Sequence, residues 1–132
     1  NDLALGVIVG IYDTNGIPCG HPNSAVSTKY LTASTTGYVD VALALSDSIF
    51  IGQSATASYA ATDVFAGVNI VATAGSTATA RSNHSLAATG GVDCQILGIV
   101  NNPNNAAGAV NCDVYFRFMG SMFGQIAIAA GT

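Results

Sequence analysis

The sequence predicts an all-β protein, a small β-sandwich or β-barrel of about seven to nine strands with long loops and one short helical turn. Three observations predict it. Long-chain helix formers are scarce, with no Glu at all and only three Lys and Arg together, whereas Val, Ile, Thr and Tyr are plentiful. Several stretches alternate large apolar residues with small or polar ones at a period of two, as half-buried strands require. Between those stretches the chain is rich in Gly, Ser, Thr and Asn, the residues of turns and long connections.

Taken in order, Leu5–Tyr12 is the first strand, with Leu5, Val7, Val9 and Ile11 on one face. Gly6 and Gly10 fall on the other face, where they leave room for another backbone or a large side chain. Asp13-Thr-Asn-Gly16 reads as a turn, because Asn-Gly readily supplies positive φ. Ile17 to Gly37 is an extended surface excursion with one short strand expected near Lys29–Leu31. Tyr38–Leu45 alternates cleanly, placing Val39, Val41, Leu43 and Leu45 on an apolar face. Ser48–Gln53 follows after a short polar break, which suggests a hairpin between the two.

Thr62-Asp63 caps a single helical turn over Val64–Val68, or else a strand runs through Val68–Thr73. Ser82 to Gly91 reads as a loop anchored by Leu86. The strongest strands come last, Val92–Val100 and Asn111–Phe118, joined by Asn101-Asn-Pro-Asn-Asn105. On the second, Cys112, Val114, Phe116 and Phe118 point one way, and Asp113, Tyr115 and Arg117 the other. The 132 residues carry no fixed-period repeat and no linker, so residues 1–132 are expected to form one β-rich domain.

The formal net charge is −4, and Lys29, Arg81 and Arg117 stand far apart in sequence, which argues against nucleic acid as a partner. No apolar run approaches the roughly 20 residues a membrane helix needs. Cys19, Cys94 and Cys112 make an odd count, and if the last two strands pair across their loop, Cys112 falls opposite a residue near Ile99, away from Cys94. Free thiols are expected, in keeping with assembly in a reducing cytoplasm. No Cys-x-x-Cys, paired His spacing or Gly-x-Ser-x-Gly elbow occurs, so neither catalysis nor a metal or other cofactor is expected. His21 and His84 read as surface loop residues, and Asn83-His-Ser85 matches a glycosylation sequon, a triplet common by chance.

Four segments carry a resemblance. Asp63-Val-Phe-Ala-Gly-Val-Asn-Ile-Val71, Thr73-Ala-Gly-Ser-Thr-Ala-Thr79 with Ser82, Leu97-Gly-Ile-Val100 with Pro103 and Asn105, and Val114-Tyr-Phe-Arg117 are together similar to the decoration (cement) proteins of tailed-phage heads. The resemblance covers about the last two thirds of the chain and implies a β-rich structural protein. It implies binding to the outer surface of the expanded head, at junctions between major capsid proteins, commonly as a homotrimer.

Scarce charge and apolar ends fit such a life, because a chain with only 8% charged residues has little to keep copies apart. The N-terminal arm, residues 1–5, and the apolar tail, residues 120–132, are expected to be ordered by neighbouring subunits. The contact residues expected on these grounds are Asn1, Asp2 and Leu3 in the arm and Met122, Phe123, Ile126 and Ile128 in the tail. The resemblance adds Thr77, Thr79 and Arg81. Two other classes stay open on sequence alone: a carbohydrate-binding adhesin-type sandwich, and a self-polymerising pilin- or sheath-like subunit whose tail donates a strand.

Overall fold

A computed structural model describes residues 3–55, 58–121 and 124–125. The protein is all-β. Its strands are β1 (Gly6–Tyr12), β2 (Tyr38–Leu43), β3 (Phe50–Gln53), β4 (Gly67–Val71), β5 (Ser85–Thr89), β6 (Cys94–Ile99), β7 (Asp113–Phe118), β8 (Gly120–Ser121) and β9 (Gly124–Gln125). The one helical element among the described residues is a 3-10 turn at Ala61–Asp63. Two compact units can be distinguished. One gathers the residues up to Leu5, Ala44–Thr73 and the chain from His84 onward; the other is Gly6–Leu43 with Ala74–Asn83.

The smaller unit is built on the antiparallel pair β1–β2. Val9 is an extra residue between the pairs Ile8↔Val41 and Gly10↔Asp40, so the even alternation expected along the first strand is broken there by a bulge. Ile8 and Val9 are both exposed as a result. The expected apolar face of β2 is likewise open to solvent at Val39, Leu43 and Leu45, and the buried residue there is Ala44. The space left by the glycines is used as expected: Gly6 lies against the Ala42 carbonyl and Gly10 beneath the Tyr12 ring. No strand forms at Lys29–Leu31, which stays within the long excursion.

That excursion hangs from Asp13. Its buried carboxylate accepts the backbone N–H groups of Asn15 (2.8 Å), Ile17 (3.0 Å) and Ala25 (2.8 Å) and the Ser24 hydroxyl (2.9 Å). Those bonds, led by Ile17, hold its pKa down at about 2 against the opposing pull of desolvation. The expected turn at Asp13–Gly16 is present and closed by a Gly16 N–H to Asp13 C=O bond of 3.1 Å.

The larger unit contains a five-stranded antiparallel sheet in the order β3-β7-β6-β4-β5. Just past β3, Ser54 forms a parallel bridge with Leu86 of β5, and Ala55 N–H donates to the Leu86 carbonyl. The two edges of the sheet therefore meet at one end, and the strands curl toward a barrel around their inner side chains. The alternation read from β7 holds throughout: Cys112, Val114, Phe116 and Phe118 are all buried. Phe118 meets Phe50 and Phe116 edge to face, with ring centroids 5.4 Å apart, and Phe50 and Phe116 lie tilted at 5.9 Å. Gly52 makes room for them, since a Cβ there would sit 2.8 Å from the Phe116 ring.

Three expectations are corrected in this unit. β3 does not form a hairpin with β2; it pairs with β7, because Phe50 is the aromatic that completes the Phe116–Phe118 cluster. The segment Ser82–Gly91 is not a loop throughout, since Leu86 is drawn into the core and carries β5 with it. At residues 61–71 the strand alternative is the one realised, starting at Gly67, and the helical turn forms ahead of the expected Val64–Val68. Asp63 Oδ2 accepts the Ala60 N–H (2.8 Å) at a single 3-10 turn, and β4 then runs on as a strand. The register of β6 against β7 sets Cys94 opposite Phe118 and Ile99 opposite Val114, and the three thiols are free.

Candidate interaction surface

With Val114, Phe116 and Phe118 turned inward, Asp113, Tyr115 and Arg117 of β7 must face outward. Ladder pairing then fixes their neighbours on that face. Ile51 lies beside Tyr115, Gln53 beside Asp113, and Gln95 beside Arg117. Ile51 is 63% exposed and Tyr115 38%, so an isoleucine and a tyrosine sit side by side on the surface. Each charged residue is steadied by an amide. Gln53 Nε2 donates to Asp113 Oδ1 at 3.3 Å, and Gln95 Oε1 accepts from Arg117 Nε (3.0 Å) and Nη2 (2.7 Å).

Gln95 does a second thing. Its Nε2 donates to the Phe65 carbonyl at 3.1 Å, while Phe65 N–H donates to the Ile96 carbonyl at 2.7 Å. Phe65 is held by these bonds at φ +71°, a left-handed conformation costly to a bulky residue, with its side chain 66% exposed. A nearly buried glutamine and an arginine thus anchor the backbone of a phenylalanine whose ring projects into solvent. An aromatic that is two-thirds exposed on strained backbone gains little for the fold from its ring, and such strain is the kind found where a group is held for contact. Exposed Phe and Tyr and a half-buried Arg are also residue types that dominate protein–protein contact energies.

The edge of the sheet adds to this surface. Up to Gln53, before the closure onto β5 at Ser54, β3 carries no charge, no Pro and no bulge, the devices that normally discourage an edge strand from pairing with another chain.

The residues expected from sequence to make contacts are distributed differently. Leu3 is exposed, yet the arm is fastened to its own chain just beyond it, by the bridge Ala4↔Ser121 and the Ala44 N–H to Leu5 carbonyl bond. Thr77, Thr79 and Arg81 are exposed on a turn of the other unit, closed by Ser76 N–H to the Arg81 carbonyl (2.9 Å) and Thr79 N–H to Ser76 Oγ (3.3 Å). Asn1, Asp2, Met122, Phe123, Ile126 and Ile128 lie outside the described residues. Arg117 and Tyr115 were legible as the outward side of a strand. Phe65 and Gln95 carry no sequence signal of their role, because one depends on a backbone angle and the other on a cross-strand partner.

Among the described residues no group of three or more His, Cys or Asp side chains gathers in a metal-binding arrangement. His21 Nδ1 accepts the Asn23 N–H within its own turn (3.2 Å), and the sequon residue Asn83 donates to the Ala74 carbonyl (2.9 Å). Burial pushes the Cys94 thiol up to about 12 and raises that of Cys112, so neither is a ready nucleophile. No family model, curated protein or solved structure matches the chain.

Proposed function

We propose that this chain is a non-enzymatic structural protein of a tailed-phage virion, decorating and stabilising the outer surface of the head at junctions between major capsid proteins. The observation that carries the reading is the outward face of the five-stranded sheet, where Ile51, Tyr115 and a strained Phe65 are exposed on a chain with few charges. The four-segment resemblance supports the same reading, and three of those segments contribute Phe65, Leu97 and Tyr115–Arg117 to this part of the fold. The partners are then the major capsid protein and further copies of the chain, a homotrimer by the resemblance, with neither nucleic acid nor membrane involved.

Physically, such a protein adds buried interface across the seams of a lattice. Because many copies act together, a modest free energy per contact resists the pressure of packaged DNA. Purified protein should bind expanded, undecorated heads in stoichiometric amounts and raise the temperature at which they come apart. Heads that take up none of it at micromolar concentration would overturn the proposal.

The stretch of β3 before its closure onto β5 at Ser54, free of charge and Pro, favours one second reading, a self-polymerising surface subunit that grows by strand addition. Electron microscopy of the isolated protein separates the two, since filaments belong only to the second.

A further inference from the structure

The outward face of β7 is arranged symmetrically about Tyr115. Asp113 lies two residues before it and Arg117 two residues after, all three on one face. At the rise of a strand, each charge stands about 7 Å from the tyrosine along β7. The flanking amides repeat the pattern, Gln53 bonded to the aspartate and Gln95 to the arginine. Among the described residues the hydrogen bonds of Arg117 go to the neutral Gln95, so its positive charge is positioned without being paired to a carboxylate.

We propose that this face docks on the same face of a second copy, about a two-fold axis that passes by Tyr115. With the two β7 strands antiparallel across the contact, Arg117 of each copy meets Asp113 of the other. Tyr115 meets Tyr115 and Ile51 meets Ile51. An isologous contact requires a surface complementary to its own two-fold image, and a strand reading minus, aromatic, plus is of that kind. The local charges cancel, so the contact adds no like-charge repulsion between two copies of a chain whose net charge is −4. Residues elsewhere on the chain have no comparable arrangement: Lys29 and Arg81, the other two cations, lie in loops of the smaller unit. This contact goes beyond the head-binding reading and does not depend on it. On a closed shell it would join one oligomer to the next across a local two-fold.

Charge reversal tests it with an internal control. Asp113→Arg and Arg117→Asp should each weaken self-association on the order of ten-fold or more, measured by sedimentation velocity over a concentration series, because like charges then face each other. An equimolar mixture of the two variants should recover it, since one copy then presents two cations to two anions. Loss of the Gln95 bonds could unfold the second variant, so a second pair is made at the axis. Tyr115→Glu and Tyr115→Lys touch no described hydrogen bond. Each alone should dissociate, and the mixture should associate. Single variants with the same mass distribution as the parent overturn the contact. So does a mixture no more associated than its components, whether the partner on this face is then the capsid protein or nothing. Head binding is read separately: a chain that decorates heads but gives either result keeps the function and loses the two-fold contact.

Discussion

Phe65 offers the sharpest test of whether the sheet face is built for contact. Replace it in parallel with Gly and with Ala. Both changes remove the same ring, which is 66% exposed; burying a whole Phe is worth about 1.5–3 kcal/mol, so the third that is covered contributes about 0.5–1 kcal/mol. The two variants differ only in the backbone. At an ordinary position Ala is more stable than Gly by about 0.4–1 kcal/mol, because Gly loses more freedom on folding. At φ +71° the Cβ of any L-residue costs about 1–2 kcal/mol, and Gly is spared that cost. The order should therefore invert, with Phe65→Gly more stable than Phe65→Ala by about 0.5–1 kcal/mol. Urea denaturation followed by circular dichroism reads the difference as a shift in midpoint at unchanged slope. Both variants should bind partners less well than the parent while folding normally. An alanine variant as stable as the glycine one refutes the strained backbone. A loss above about 3 kcal/mol in both shows that the ring belongs to the core.

Other perturbations have equally definite outcomes. Gly52→Ala drives a methyl group to 2.8 Å from Phe116 and 3.1 Å from the Leu86 side chain, and should cost about 1–3 kcal/mol by thermal or urea unfolding; no loss would mean the aromatic cluster yields freely. Asp13 has its pKa lowered from the ordinary 3.8 to about 2, so its contribution is fully present above pH 4 and disappears as pH falls from about 4 to about 2. Asp13→Asn should flatten the pH dependence of stability within that window, and an unchanged profile would remove Asp13 as its source. Thiol titration near pH 8 should modify Cys19 in the native protein and spare Cys94 and Cys112 until the chain unfolds. Prompt reaction of all three would contradict the buried positions of the latter two.

The sequence was most informative where one face of a strand is buried and the other is not. The period of two in residues 112–118 announced both the core side and the outward side of β7, and the paired strands β6 and β7 followed from it. It was least informative where a single residue redirects the chain. The bulge at Val9 leaves a perfectly alternating first strand with a broken register. Leu86 looks like an isolated loop anchor, yet its burial makes β5 a strand. Adjacency misled for β2 and β3, since short polar breaks usually mark hairpins but the partner of Phe50 lies more than sixty residues on. The candidate surface was half legible. Tyr115 and Arg117 lay on the outward side of a recognisable strand, whereas the exposure of Phe65 arises from a left-handed backbone angle fixed by Gln95, and no spacing rule encodes that.

The central claim is that the outward face of the five-stranded sheet is where this chain meets other protein. Hydrogen exchange compared between the dilute isolated protein and the protein bound on expanded heads tests it directly. Amides of residues 49–53, 64–66 and 113–117 should slow together on assembly. If those segments exchange at the same rate on heads as in dilute solution, while protection appears elsewhere, the sheet face is not the contact surface.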